Sequence, residues 1–228
     1  MTVPTSTVFL LDVDNTLLEI DAVDADLHRQ LAAQLGQERA ERYWTIFEEL
    51  RNELGYADYL GALQRLRSAY PHDPRILETS GYLIEYPFAE RLYPSALDTV
   101  RRLNELAQTV ILSDGDVVLQ PRKIHRSGLW AAVNGDVLVY VHKERELDDV
   151  ERRYPAEHYV IVDDKLRILD AIKHGWDSRV TTVFLRQGHY ATDADSLESY
   201  SPADLALDAI GELVDALIDA NALPNRWW

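Results

Sequence analysis

Two carboxylates at spacing i, i+2, Asp12 and Asp14, end the apolar run Val8-Phe9-Leu10-Leu11, and Asn15-Thr16 turn the chain behind them. Three further apolar runs end in groups of related chemistry. Thr109 to Leu112 stops at Ser113, Tyr159 to Val162 stops at Asp163-Asp164, and Lys143 follows Val137 to Val141. Buried parallel strands read as continuous apolar runs, and open α/β sheets bind ligands at the carboxyl ends of their strands. If the four runs are strands of one sheet, their terminal groups converge on one edge.

Four carboxylates, a hydroxyl and an ammonium suit a hard cation beside an anionic group. Acids at a buried edge are costly unless a cation or proton neutralises them. Magnesium takes oxygen ligands and keeps waters and substrate phosphate in its shell. A carboxylate can attack phosphorus to give an acyl-phosphate, with metal, ammonium and hydroxyl neutralising the transferred group. Taken singly, each feature has a plainer reading. Asp12 and Asp14 could be an acidic, solvated turn, Ser113 an ordinary strand-end hydroxyl, and Lys143 a solvated charge between His142 and Glu144.

The elements that must position these groups follow from periodicity. Val23, Leu27, Leu31 and Leu35 recur every four residues up to Gly36, and Tyr43, Trp44, Phe47, Leu50 and Leu54 form a second stripe ending at Gly55. Tyr59, Leu60, Leu63 and Leu66 make a third, and Ile76, Leu77, Ser80, Leu83 and Ile84 a shorter fourth before Pro87. Such stripes predict amphipathic helices, here a small four-helix bundle whose aromatic stripe is core rather than ligand box.

From Tyr93 strands alternate with helices, which predicts a Rossmann-like parallel sheet sandwiched by helices. Trp130 to Val133 reads as a short strand, with Asn134-Gly135 as a turn. Leu166 to His174 reads as a helix capped by Gly175. Arg186 to Tyr200 is polar and loop-like. Ser201-Pro202 opens a last helix, with Leu205, Ile210, Leu213, Val214, Leu217 and Ile218 inward. Asp204, Asp208, Glu212, Asp215 and Asp219 then line its solvated outer face. The expected organisation is an α/β core over residues 1–18 and 90–228, with a helical cap inserted over 19–89.

Composition narrows the function classes. The 228 residues are 46% hydrophobic and 27% charged, enough for one sizeable core plus a smaller module. Lys and Arg total 23 against 39 Asp and Glu, a net charge of −16. That disfavours nucleic acid, whose binding needs cations on phosphates. Cysteine is absent, which excludes disulfides, thiolate metal sites and cysteine nucleophiles. No signal peptide or membrane-length apolar segment stands out, so a soluble cytoplasmic protein without membrane partners is expected.

The four segments resemble the four motifs of the haloacid dehalogenase superfamily, in the branch with a helical cap after motif one. Asp12-Val13-Asp14-Asn15-Thr16 is similar to its Asp-x-Asp-x-Thr motif. Ser113 resembles the motif-two hydroxyl, Lys143 the motif-three lysine and Asp163-Asp164 the motif-four acids. Leu92-Tyr93-Pro94-Ser95-Ala96-Leu97 looks like the segment where such chains re-enter the core. The resemblance runs from about Val8 to Gly188.

The resemblance implies Asp12 as the phosphorylated nucleophile and Asp14 as the acid for the leaving group, then the base for water. It implies a Mg2+ site made by Asp12, the Asp14 backbone carbonyl and a motif-four acid, with Asp164 direct and Asp163 water-mediated or in support. Ser113 and Lys143 would hold the phosphoryl group, with Thr16 beside them. The superfamily's dehalogenases lack an acid where Asp14 stands, so the resemblance implies phosphate-ester chemistry.

The expected activity is a phosphatase for a small phosphorylated metabolite. A phosphomutase is the enzymatic alternative, and a non-catalytic anion binder or phospho-accepting signalling domain a more distant one. The cap would face the site through Glu19-Ile20-Asp21 and through Asn52 to Asp58, with Arg51 on an anionic substrate. Asp114, Asp116, His125 and His142 are expected to be peripheral. A monomer or homodimer is expected, and Trp227-Trp228 could dock on the core or on a partner subunit.

Overall fold

A computed structural model describes residues 5–220. The chain opens with strand β1 (Thr5–Leu11), followed by helices α1 (Ile20–Leu35), α2 (Gln37–Leu54), α3 (Tyr59–Ala69) and α4 (Arg75–Glu85). Helix α5 (Ala96–Leu106) leads to β2 (Gln108–Asp114), α6 (Leu119–Arg126), α7 (Leu129–Ala132) and β3 (Val137–Tyr140). Then come α8 (Leu147–Arg153), β4 (Ala156–Asp163), α9 (Leu166–Trp176), β5 (Val180–Leu185), α10 (Ala194–Ser199), β6 (Leu205–Leu207) and α11 (Leu213–Asp219).

The strands form one six-stranded sheet in the order β3-β2-β1-β4-β5-β6, and each neighbouring pair is parallel. Strand β1 lies at the centre, and all four residues from Val8 to Leu11 are buried. Their side chains alternate between faces. Phe9 and Leu11 join one apolar cluster with Ile111, Val162 and Leu185, whereas Val8 and Leu10 join a second with Leu112, Ile161 and Ile172. The chain builds outward to β3 and then crosses back to β4 on the other side of β1. The carboxyl ends of β1 and β4 therefore flank the topological switch point where such sheets bind ligands.

Helices α1 to α4 add no strand to the sheet. The first three inward stripes follow the sequence reading, with Val23, Leu27, Leu31 and Leu35 buried on α1, Tyr43 and Phe47 on α2, and Leu63 and Leu66 on α3. On α4 Ile76 and Leu83 are buried, but Leu77, read as part of the stripe, is exposed. The chain enters and leaves this insertion through paired backbone. The Glu19 amide donates to the Arg91 carbonyl at 2.8 Å, and the Tyr93 amide donates to the Leu17 carbonyl at 3.0 Å. Gly55 ends α2 with left-handed backbone at φ 81°, and Asp58 caps α3 by accepting from the Gly61 amide at 2.7 Å. The short link between them is thus shaped at both ends.

Several expectations fail away from the main strands. Trp130 to Val133 is helical rather than a strand, in α7 and its cap, because a short apolar run has no period that separates the two states. Asn134-Gly135 closes that helix, the Gly135 amide donating to the Trp130 carbonyl at 2.9 Å. Helix α9 continues through Gly175 to Trp176, which stacks on Tyr159 with ring centroids 4.2 Å apart. Asp177, at φ 49°, takes the left-handed position instead.

The stretch from Arg186 to Tyr200 carries a 3-10 turn at His189–Thr192 and helix α10. The predicted last helix is divided: β6 pairs with β5, a 3-10 turn covers Ile210–Glu212, and only α11 is α-helical. Leu213, Val214 and Leu217 are buried on it, but Ile218, read as inward, is exposed. Asp204 does not lie on a free helical face. It accepts from Lys173 Nζ at 2.8 Å and from the Thr182 amide at 2.8 Å, tying the start of β6 to the sheet. Trp227 and Trp228 lie outside the described residues. No described helix is long and apolar enough to cross a membrane.

Candidate active site

Lys143 lies in a 3-10 turn beyond β3 and is nearly fully buried. Its ammonium lies 2.5 Å from Asp12 Oδ1 and 2.6 Å from Asp163 Oδ2. It also donates to the Leu112 carbonyl at 3.2 Å. Burial alone would favour the neutral amine, but Asp12, Asp163 and Asp114 outweigh it and hold the Lys143 pKa well above its ordinary value. Asp114 anchors the turn itself by accepting from the Lys143 amide at 2.7 Å.

The acids around this ammonium are not all satisfied. Asp12 Oδ2, Asp163 Oδ2 and both oxygens of Asp164 are buried without a hydrogen-bond partner among the described residues, and of these only Asp163 Oδ2 has an ion-pair contact. Asp163 is engaged, pairing with Lys143 through Oδ2 and accepting from the Lys165 amide at 2.8 Å through Oδ1. Burial pushes the Asp163 carboxyl up to about 6, and burial with the neighbouring acids pushes Asp164 well above the ordinary carboxylate range. One oxygen each from Asp12, Asp163 and Asp164 lies within 4.8 Å of the other two. Orphaned, crowded carboxylate oxygens of this kind fit a hard divalent cation. Lys165, half-buried beside Asp164, adds a second ammonium to the edge.

Ser113 and Thr16 complete the floor. Ser113 Oγ lies 3.5 Å from Asp12 Oδ1 and accepts from Gln120 Nε2 at 2.8 Å. Thr16 is fully buried, and its hydroxyl has no partner. The chain turns between Asp14 and Thr16 at Asn15, which adopts φ 57° and donates to Asp21 Oδ1 at 3.0 Å.

Above the floor lies a cavity of about 350 Å³. Asp14 lines it, with 23% of its side chain exposed. Both Asp14 oxygens accept from Lys123 Nζ at 2.8 Å. The insertion contributes Arg51, Asn52, Gly55, Tyr56, Ala57 and Tyr59. The Arg51 guanidinium meets the Tyr190 hydroxyl and lies 3.7 Å from Glu48. Tyr190 also lies beneath Lys165, whose Nζ is 5.2 Å from its ring centroid.

The sequence-predicted groups Asp12, Asp14, Thr16, Ser113, Lys143, Asp163 and Asp164 all fall at this edge. Arg51 lines the cavity, and of the predicted Asn52 to Asp58 turn Asn52, Gly55, Tyr56 and Ala57 do so, whereas Glu53 pairs with Arg65 and Asp58 caps α3. Glu19-Ile20-Asp21 does not line the cavity. Asp21 is instead engaged with Asn15 and with the His189 amide, the latter at 2.9 Å. Asp114 and Asp116, expected to be peripheral, both line the cavity, and Asp116 also accepts from the Leu119 amide at 2.7 Å. His125 sits by Trp130, 6.0 Å between ring centroids, and outside the cavity lining.

Sequence reasoning overlooked Gln120, Lys123, Lys165 and Tyr190. Gln120 and Lys123 carried a usable signal, since their i, i+3 spacing places both on one face of the helix after the Ser113 strand. Tyr190 carried none, in a stretch that reads as polar loop.

A central acidic switch point roofed by inserted helices defines a Rossmann-like α/β architecture, and comparison gives the family. The family model for "haloacid dehalogenase-like hydrolase" matches residues 7–175. The chain belongs to that family. A haloacid dehalogenase-like hydrolase from Burkholderia xenovorans LB400 is 58% identical, with a TM-score of 0.90 over 93% of this chain and 99% of that one.

Two more distant structures share the fold. The magnesium-bound HAD-hydrolase YfnB from Bacillus subtilis is 19% identical, with a TM-score of 0.61 over 93% of this chain and 99% of its own. The L-2-haloacid dehalogenase from Xanthobacter autotrophicus is 16% identical, with a TM-score of 0.61 over 94% and 99%. No curated protein matches the chain.

Proposed function

We propose that the protein is a magnesium-dependent phosphatase that hydrolyses a small phosphorylated metabolite through an aspartyl-phosphate at Asp12. The observation that carries this reading is the division of labour between two neighbouring acids. Asp12 is buried with one oxygen held by Lys143 and the other free, whereas Asp14 faces the cavity. Displacing halide from carbon needs no leaving-group proton, so a second acid opposite the nucleophile favours an alkoxide leaving group.

In the first step an Asp12 oxygen bonds to phosphorus. The bond from phosphorus to the ester oxygen breaks, its electron pair leaves with that oxygen, and Asp14 delivers the proton. In the second step Asp14 takes a proton from water. The water oxygen bonds to phosphorus, and the Asp12–phosphorus bond breaks to return the carboxylate and free phosphate. Lys143 and the Ser113 hydroxyl bind phosphoryl oxygens, and Thr16 supports them. Asp12, Asp164 and the Asp14 carbonyl would hold Mg2+, with Asp163 in support, and the ion would supply charge neutralisation at phosphorus. Arg51 would meet an anionic part of the substrate. The cavity suits a metabolite rather than a folded protein, and the insertion acts as a cap that excludes bulk water.

Hydrolysis of 4-nitrophenyl phosphate with and without magnesium tests the reading. Turnover is expected to need the ion and to vanish in Asp12→Asn. Turnover that survives chelation, or that Asp12→Asn leaves intact, sinks it.

A further inference from the structure

Lys123 is 1% exposed, yet its ammonium reaches only one carboxylate within hydrogen-bond distance among the described residues, that of Asp14. A lysine is seldom buried so completely without a defined partner. The contact is bidentate, at 2.8 Å to each oxygen, so it fixes the carboxylate plane as well as its charge.

One turn earlier on α6, Gln120 reinforces the arrangement. Its Nε2 donates to Ser113 Oγ at 2.8 Å and lies 3.5 Å from Asp14 Oδ2. The seat for Gln120 is Gly115, where an added Cβ would stand 2.7 Å from the glutamine Cβ. From the insertion, Asp24 feels the Lys123 charge and is held by the Tyr59 hydroxyl at 2.7 Å. Lys123 therefore sits between an acid of the sheet edge and an acid of the roof.

We propose that Lys123, supported by Gln120, is a positioning residue that aims the Asp14 carboxyl at the leaving-group oxygen. The inference rests on the phosphatase reading above. A carboxylate has about four lone-pair sites, so two inward bonds to Lys123 leave outward sites to carry a proton toward the cavity. A purely structural ion pair would have no reason to occupy the cavity wall, where Asp14, Gln120 and Lys123 all lie.

The test compares an alkyl phosphate with 4-nitrophenyl phosphate in the full-length enzyme with magnesium. A nitrophenolate leaves without help, whereas an alkoxide needs its proton. Lys123→Met is expected to lower kcat/KM about 100-fold on the alkyl ester, the size of a lost general acid, and less than about tenfold on the aryl ester. In the Asp14→Asn enzyme the same substitution is expected to change the alkyl rate less than about twofold, since no acid remains to be aimed.

Equal losses on both esters, or an undiminished loss in the Asp14→Asn enzyme, overturn the inference and leave the phosphatase reading intact. If Lys123→Met does not fold, judged by its melting curve, Gln120→Met is read instead. The same preference for loss on the alkyl ester supports the inference, and equal losses overturn it. A wild-type enzyme inactive on every phosphate ester overturns both.

Discussion

Lys143 pairs with Asp163 as an ion pair at 2.6 Å, while Asp164, the next residue in the chain, keeps both carboxylate oxygens buried with neither an ion pair nor a hydrogen bond among the described residues. Adjacent acids at one strand end thus have opposite circumstances. The lysine has spoken for Asp163, and Asp164 is the one free to meet a cation.

Asp164→Asn is therefore expected to weaken magnesium binding at least about 100-fold, and Asp163→Asn by no more than about tenfold, the lower end for a residue that supports a ligand. Asp163→Asn should instead cost about 2 kcal/mol of stability, as a hydrogen bond to a charged group is lost. Titration calorimetry and denaturant unfolding check the two halves. A larger binding loss at Asp163 would reverse the assignment.

Asp24 makes stability depend on pH in a window just below neutrality. Burial raises its carboxyl to about 6, although the Tyr59 hydroxyl and Lys123 oppose the shift. The folded chain then binds this proton more tightly than the unfolded chain, so stability falls as pH rises from about 4 to 6. Asp24→Asn removes that titration. The variant is expected to gain melting temperature relative to wild type on going from pH 4 to pH 7. A constant difference across the range would show that Asp24 does not titrate as assigned.

Gly55 is a joint between roof and floor. Its φ of 81° disfavours any side chain, and an added Cβ would stand 2.4 Å from the ring of His142, the neighbour of Lys143. Gly55→Ala should cost about 1–2 kcal/mol for the left-handed backbone alone. It should also raise KM, because the link carrying Tyr56 and Ala57 can no longer settle on His142. Steady-state kinetics beside a melting curve separate the two effects. An unchanged KM would mean that this contact does not shape the cavity.

Much of this arrangement was legible in the chain because long-range order here has a local signature. Val8 to Leu11 and Tyr159 to Val162 are buried on both faces of the sheet, so their runs are unbroken and their polar ends conspicuous. The insertion was legible for the same reason, since Val23 to Leu35 keeps its period over a long helix. Short elements behaved otherwise. Leu205 to Leu207 becomes a strand only because β5 offers an open edge, and Asp204 is drawn inward by Lys173 and Thr182, partners that no local pattern reveals. Lys123 was missed because its meaning depends on Asp14, far away in sequence and adjacent only in the fold.

The turn behind Asp14 and the first turn of α1 share a hydrogen bond, from Asn15 to Asp21, and Asp21 also receives the His189 amide. A swing of α1 about its start must strain that bond or carry Asn15 with it. The start of α1 and the turn that presents Asp14 are thus tied together.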